Sequence, residues 1–360
     1  MGQTMADVIK IGCSAVLSGH EAIHGRAIVN AVTLAIEQAN RHGNQSEILE
    51  LVVGDDRDEK EAAIEVAQAF INDDGLMGVV GPMNSEAAFA AGECYQRADL
   101  AHISPAASNL KLTRMGRRSF FRMVGHDGYQ GERAAEFALR YLSANTIGII
   151  HDGSSFGKPL SEVFQKRAVD LGANIVVVKE IRRGQVDFST LAHDMVAVQP
   201  EAIFFGVIEE EGLHLAPQLR RAGVRSVFLG TDGLKASRYL ETPEAGVKGP
   251  FYSNASTDVS VQTSAQSFGK VFQDRFETPH SVYSAEAYDA AGILIQAILR
   301  AAPLNRQSVL EHVLSMTHYN GATGRVAFDH YGDRLNPQIG FYEQIPGAIN
   351  FLGFDSDLCH

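Results

Sequence analysis

The feature that most constrains the fold of this chain is a regular alternation of short β-branched runs with longer runs of helical periodicity. In the first hundred residues, strand-like runs cover residues 8–16, 48–54, 77–81 and 100–103. Runs with apolar side chains three or four positions apart, which predict helices, cover residues 26–40, 59–72 and 85–97. Strands and helices that alternate in this way form a parallel sheet with helices on both faces.

A second series of the same kind follows, with strand-like runs at residues 146–151, 174–181, 202–206 and 226–230. Three further helical runs, at residues 264–276, 285–301 and 306–316, begin no third series, so we expect them to return to the first domain. The sequence therefore predicts an α/β fold of two doubly wound parallel-sheet lobes joined by a three-segment hinge. Lobe 1 comprises residues 1–126 and 254–329, lobe 2 comprises residues 127–253 and 330–360, and a ligand cleft lies between them.

Length and charge limit the classes of partner. A chain of 360 residues suits two domains, and its 31 basic and 43 acidic residues give a net charge of −12. A surface this acidic repels phosphate backbones and anionic lipid, and no apolar run approaches the roughly 20 residues of a membrane helix. We therefore expect no nucleic-acid partner and no membrane insertion. The first residues form no basic-then-apolar leader, which indicates either a cytoplasmic protein or a mature or trimmed chain.

The sharpest catalytic pattern is His20-Glu21-Ala-Ile-His24, the HExxH arrangement of zinc peptidases. Zinc chemistry requires both histidines on one helix face, whereas we expect this segment to form the loop after the first strand, with the helix beginning only afterwards. No third ligand can be identified, and the three cysteines, which allow at most one disulfide, form no C-x-x-C motif. Dinucleotide, phosphate-loop and nucleophile-elbow motifs are also absent from the sequence. We therefore expect no catalytic residue, no metal and no cofactor, with a metallohydrolase as the distant alternative.

Two loops of the first series are suited to a ligand. The segment that ends at Ser85 places a hydroxyl at a helix N-terminus, where free N–H groups and the helix dipole favour a carboxylate. The small residues 104–108 follow the next strand, and Ser108 adds a second hydroxyl. Both loops lie at the carboxyl ends of parallel strands, where open α/β sheets bind ligands. In the second series Asp232 ends a strand at the equivalent edge. The simpler alternatives are that Ser85 or Asn84 caps the helix and that Asp232 shapes a turn.

These loops resemble the binding loops of the leucine/isoleucine/valine-binding protein family. Its members are the substrate-binding components of branched-chain amino acid ABC transporters and have the type I periplasmic binding protein fold. The resemblance extends along nearly the whole chain, through short motifs in the same order. They include Leu17-Ser-Gly19, Phe120-Phe-Arg122, Asp187-Phe-Ser-Thr-Leu191, Gly230-Thr-Asp-Gly233 and Glu286-Ala-Tyr-Asp-Ala290.

The resemblance implies how each end of an amino acid is bound. The positions that hold the ligand carboxylate and ammonium in the first lobe correspond to Ser85, Ala106, Ala107 and Ser108. In the second lobe, Asp232 would neutralise the ammonium, Phe156 would cover the ligand, and Ile208 falls where a tyrosine is common. Glu209 or Glu210 could reach the cleft instead. His24 occupies an aromatic position, and Tyr283 would line the wall of the first lobe.

The expected function is that of an extracytoplasmic solute-binding protein. The protein would be a periplasmic monomer that captures an amino acid or close analogue by hinge closure and delivers it to an ABC transporter permease, without catalysing a reaction. Two alternatives keep the fold. One is a cytoplasmic sensor of amides or amino acids, and the other is a binder of aromatic or other small carboxylic acids. The ligand's side chain is left open.

Overall fold

The chain forms two compact units. In the computed structural model, the described residues are 7–19, 21–42, 47–154, 156–207, 209–231, 250–345 and 348–359. Unit 1 contains Met1–Val124 and Ser256–Pro337, and unit 2 contains Gly125–Ala255 and Gln338–His360. Each unit is built on its own, largely parallel sheet with helices, which confirms the predicted α/β class with two lobes.

The strands and helices of the described residues are numbered along the chain. The strands are β1 (Asp7–Ala15), β2 (Glu47–Asp55), β3 (Leu76–Val80), β4 (His102–Ser104), β5 (Phe120–Arg122), β6 (Thr146–His151), β7 (Asn174–Glu180), β8 (Ala202–Gly206), β9 (Val227–Gly230), β10 (Phe251–Asn254), β11 (Tyr319–Gly321), β12 (Gly324–Val326), β13 (Gly340–Ile345) and β14 (Ala348–Phe354). The helices are α1 (Ala22–His42), α2 (Lys60–Ile71), α3 (Ser85–Arg97), α4 (Lys111–Arg114), α5 (Asp127–Glu136, continued as a π-helix over Phe137–Tyr141), α6 (Gly157–Asp170), α7 (Ser189–Val198), α8 (Glu209–Arg221), α9 (Thr263–Phe276), α10 (Ser284–Arg300), α11 (Arg306–Leu314) and α12 (Asp355–Leu358).

Unit 1 is built around a five-stranded parallel sheet with the order β2–β1–β3–β4–β5. Alternate residues of β1 explain how its two faces are covered. Ile9, Ile11 and Cys13 pack in one core cluster with the apolar stripes of α1 and α10. A Cβ on Gly12 would lie 2.8 Å from the ring of Phe70, which belongs to α2. Helices therefore cover both faces, and α9, α10 and α11 belong to this unit.

Unit 2 contains a seven-stranded sheet with the order β14–β13–β10–β9–β8–β6–β7. Strands β6 to β10 are parallel, whereas β13 and β14 form an antiparallel hairpin that pairs with β10. The hairpin is a departure from a purely parallel lobe. It contributes to the core, because the ring of Phe341 stacks on that of Phe137 with centroids 4.1 Å apart.

The chain changes unit after Val124, Ala255 and Pro337. The third change lies later than the predicted position near residue 330, because the intervening residues are bound within unit 1. Asp333 Oδ1 accepts a hydrogen bond from Arg122 Nε at 2.7 Å. Arg334 donates to the Met123 carbonyl at 2.9 Å. An ion pair and a hydrogen bond from a charged side chain thus hold this part of the chain in unit 1.

Two further expectations concern the membrane and the cysteines. Among the helices that the structure describes, none combines the length and the apolar composition needed to cross a membrane. Cys13, Cys94 and Cys359 are all free thiols, and the first and last of them are buried.

Candidate functional site

The candidate site in unit 1 lies at the carboxyl ends of β1, β3 and β4. Strands β1 and β3 are adjacent in this sheet. The chain continues from β1 to β2 on one side and from β3 to β4 on the other. Ligands of open α/β sheets bind at such a switch point. The last residue of β2 holds the loop after β1, because Asp55 Oδ1 accepts a hydrogen bond from Leu17 N at 2.9 Å.

The loop between β3 and α3 leaves the first turn of α3 without a side-chain cap. Ser85 is the first residue of the helix, and Asn84 precedes it with an extended backbone but makes no capping hydrogen bond. Instead, Asn84 Nδ2 donates to Glu21 Oε2 at 2.7 Å. The first N–H groups of a helix have no intrahelical acceptor, and the helix dipole is positive there. This end of α3 is therefore suited to an anionic group.

The loop after β4 is tied to the loop after β3. Ser104 Oγ donates to the Pro82 carbonyl at 2.7 Å and accepts from Ala107 N at 2.9 Å. Ser85 Oγ accepts from Asn109 N at 3.3 Å. These bonds bring together the predicted residues Ser85, Ala106, Ala107 and Ser108. The half-buried hydroxyl of Ser108 has no hydrogen-bond partner within the described residues, so it can donate to a ligand.

Arg122 supports this loop from β5, a role that the sequence patterns above do not predict. Its side chain is fully buried, and its guanidinium donates to the carbonyls of Ala107 and Asn109 at 2.9 and 3.0 Å. The guanidinium also donates to Asp333 and Thr113. The available signal was an arginine within the apolar run 120–124, since a buried arginine needs partners.

The expected loop position of the HExxH segment is wrong, because α1 already begins at Ala22. The N–H groups of His24 and Gly25 donate to the Glu21 carbonyl at 2.9 and 3.2 Å. A Cβ on Gly25 would lie 1.8 Å from the carbonyl oxygen of Val16, so the helix start packs directly on the chain that leaves β1. His20 lies outside the described residues, and among the described ones no group of three potential ligands could hold a metal ion.

His24 and Tyr283 are brought to one region of unit 1. His24 Nδ1 lies 2.5 Å from Ser281 Oγ, two residues before Tyr283. Tyr283 precedes α10 in a left-handed conformation, with φ of 64°, and its half-buried ring packs against the core of unit 1. The hydrogen bond fixes the orientation of the His24 ring relative to the start of α10.

In unit 2, Phe156 lies at the carboxyl end of β6, immediately before α6. The preceding turn is held by side chains, because Ser154 Oγ donates to Asp152 Oδ1 at 2.6 Å and accepts from Gly157 N at 2.9 Å. Strands β6 and β8 are adjacent, and the chain continues from β6 to β7 on one side and from β8 to β9 on the other. The switch point of this sheet therefore lies between β6 and β8. The half-buried Phe156 is thus placed at the expected edge.

The other predicted residues of the second lobe cannot be placed. Ile208 and Asp232 lie outside the described residues, and Glu209 and Glu210 begin α8 without described side chains. The next carboxylate, Glu211, is buried and accepts from Gly184 N at 3.0 Å, so it supports the loop after β7.

The periplasmic binding protein family matches residues 8–345, almost the whole chain. The chain belongs to this family. A leucine-, isoleucine-, valine-, threonine- and alanine-binding protein of Pseudomonas aeruginosa is 26% identical over 339 residues, 94% of this chain and 90% of the relative. The leucine-binding protein LivK of Thermotoga maritima has a TM-score of 0.82 at 24% identity, over 96% of this chain and 98% of that structure.

A third similar protein is a solute-binding protein of an ABC transporter from R. palustris, solved in complex with benzoate. It has a TM-score of 0.78 at 17% identity, over 97% of this chain and 96% of that structure. Together these similarities confirm the predicted type I periplasmic binding protein fold and the resemblance to the leucine/isoleucine/valine-binding proteins. The chain is thus a member of the periplasmic binding protein family, and the proteins that it resembles include binding proteins for leucine, isoleucine and valine.

Proposed function

We propose that this protein captures an α-amino acid or a close analogue in the periplasm by closing its two units, and delivers it to the permease of an ABC transporter. The uncapped start of α3 beside the hydroxyls of Ser85 and Ser108 is the observation that carries the proposal. Hydroxyls and helix N–H groups together suit the carboxylate of such a ligand.

The remaining parts of the ligand are assigned from the resemblance. The carbonyl of Ala106 and the carboxylate of Asp232 would hold the ammonium, whose charge must be paired once water is excluded. His24, Tyr283 and Phe156 would contribute the wall around the side chain. Ile208, or instead Glu209 or Glu210, would complete it in unit 2.

Serine variants test the carboxylate site. Titration calorimetry with leucine would compare Ser85→Ala and Ser108→Ala with the wild type. If these hydroxyls bind a carboxylate, each substitution weakens binding by about 1.5–3 kcal/mol, the strength of a hydrogen bond to a charged group. Ser315→Ala is a matched control, because its hydroxyl bonds at 2.7 Å to a carbonyl of α11, outside the candidate site. Unchanged affinity in both site variants contradicts the proposal.

The sensor and carboxylic-acid alternatives need separate tests. Asp232→Asn should weaken leucine by about 3–5 kcal/mol, because it leaves the ligand ammonium unpaired, and should leave benzoate binding intact. If benzoate binds the wild type and leucine and other amino acids do not, the protein is a binder of aromatic acids. The carboxylate site described above would serve that ligand equally. Fractionation of native cells distinguishes the periplasmic protein from a cytoplasmic sensor.

A further inference from the structure

A tight turn over residues 329–333 brings a carboxylate to the back of the candidate ligand loop. Asp329 Oδ1 accepts from the N–H groups of Tyr331 and Asp333 at 2.8 and 2.9 Å, which closes the turn. The carbonyl of Gly332 accepts from Arg122 N at 3.0 Å. A Cβ on Gly332 would lie 2.1 Å from the Phe120 carbonyl oxygen, so only glycine allows the turn to approach β5 this closely.

The carboxylate of Asp333 is nearly inaccessible to solvent and binds two arginines. Oδ1 accepts from Arg122 Nε at 2.7 Å, and Oδ2 accepts from Arg114 Nη1 at 2.7 Å. Thr113 Oγ1 donates to Oδ2 at 3.2 Å. Since the Arg122 side chain is fully buried, its charge depends on this carboxylate for compensation.

The other nitrogens of Arg122 bind the loop itself. Nη1 donates to the Ala107 carbonyl and Nη2 to the Asn109 carbonyl, so one planar group binds the carbonyls of the two residues that flank Ser108. A guanidinium presents its donors in a rigid fork, so fixing Nε also fixes the directions of Nη1 and Nη2. The orientation of the loop is therefore coupled to Asp333, more than 200 residues away in the sequence.

We propose that Arg122 and Asp333 are positioning residues, which hold the Ala107–Asn109 loop in the orientation that presents Ser108 to the ligand. This inference rests on the proposed function in one respect only, the identity of the loop as a ligand loop. Neither residue contacts the ligand in this scheme. Asp333 acts through Arg122, and Arg122 acts through two backbone carbonyls.

The test uses Asp333→Asn, which keeps the shape and removes the charge. Hydrogen exchange of the ligand-free protein would report on the amides of residues 106–109, and calorimetry with leucine would report on affinity. We expect loop exchange to accelerate about tenfold or more and the leucine affinity to fall about tenfold, with exchange in α11 unchanged. These factors correspond to the loss of a charged hydrogen bond.

A matched control separates positioning from stability. Glu136 in unit 2 is also a buried, ion-paired carboxylate, with Oε2 at 2.7 Å from Arg133 Nη1. Glu136→Gln should lower the melting temperature and leave both loop exchange and leucine affinity unchanged. If Asp333→Asn lowers the melting temperature while its loop exchange stays at the wild-type rate, the inference is wrong.

A second variant covers failure of the first to fold. Arg122→Lys keeps a positive charge next to Asp333 but cannot reach both carbonyls, so it should also accelerate loop exchange. A folded lysine variant with wild-type loop exchange overturns the inference. The exchange measurement needs no ligand. If the wild type binds neither leucine nor any other amino acid, the proposed function fails while exchange still decides whether Asp333 positions the loop.

Discussion

Unit 1 contains a cluster of two buried carboxylates and one arginine. Replacing a carboxylate should lower the free energy of unfolding much less than replacing the arginine. Glu286 and Asp289 are both buried on α10, and Arg334 is attracted to both. Glu286 Oε1 accepts from Thr257 N at 2.5 Å, and Asp289 accepts from Thr323 N at 2.7 Å. The cluster thus contains two negative charges and one positive charge when all three groups are ionised.

The expected magnitudes follow from this imbalance. Arg334→Met removes a positive charge that attracts both buried carboxylates and takes a hydrogen-bond donor from the Met123 and Thr323 carbonyls. Each buried acceptor left without a partner costs about 1–3 kcal/mol, so we expect the free energy of unfolding to fall by at least about 2 kcal/mol. Glu286→Gln leaves the charge of Arg334 to attract Asp289 and keeps an oxygen for the Thr257 amide. A charged hydrogen bond becomes a neutral one, and a charge no longer has to be desolvated. We therefore expect the free energy of unfolding to fall by no more than about 1.5 kcal/mol.

Glu286→Gln should also change the pH dependence of the free energy of unfolding. Burial raises the pKa of Glu286, and hydrogen bonds from Thr257 act against that shift. A raised pKa means that the contribution of this group to stability is complete below its ordinary value of 4.5 and is lost as the pH rises through the folded-state pKa. Glu286→Gln removes that loss. The stability of the variant relative to the wild type should therefore increase from pH 4.5 to 7.5.

Urea unfolding followed by far-UV circular dichroism would measure both effects, because the chain contains no tryptophan for fluorescence. Unfolding of wild type, Glu286→Gln and Arg334→Met would be compared at several pH values in this range. A glutamine variant less stable at pH 7 than the methionine variant would refute the reasoning. A decrease in the stability of the glutamine variant relative to the wild type as the pH rises would also refute it.

Three further predictions concern buried polar groups. In the folded protein a maleimide should label Cys94 first, because burial raises the pKa of the Cys359 thiol to about 12 and also raises that of Cys13. Burial lowers the pKa of His102 from 6.5 to about 3, so protonation of the unfolded state reduces the stability of the fold as the pH falls below 6.5. His102→Phe removes this effect and should unfold at a lower pH than the wild type in an acid titration. Ser104→Ala should lower the free energy of unfolding by about 1–3 kcal/mol, measured in urea, because a buried amide loses its acceptor.

Helical periodicity predicted several elements closely, because it depends on neighbouring residues. The bounds of α3 and of strands β6 and β8 agree with the predicted ones. Periodicity failed where a helix begins with few apolar residues. Residues 20–26, with only Ala22 and Ile23 apolar, gave no apolar stripe. Helix α1 nevertheless begins at Ala22, because its first turn packs against the chain leaving β1. No sequence pattern predicted the antiparallel hairpin of β13 and β14 in unit 2. Its position in the sheet depends on the pairing of β13 with β10.

The sequence by itself determined the two alternating series, and with them the α/β class and the loops that contain Ser85 and Ser108. Those features depend on short stretches of chain, since a strand, its loop and the next helix are contiguous. Only the tertiary structure decided which distant residues meet. Arg122 binds Asp333 across 211 positions, and His24 lies beside Ser281 across 257. Such pairs have no periodic signal, because a buried charge or hydroxyl is satisfied by whichever segment the fold brings to it.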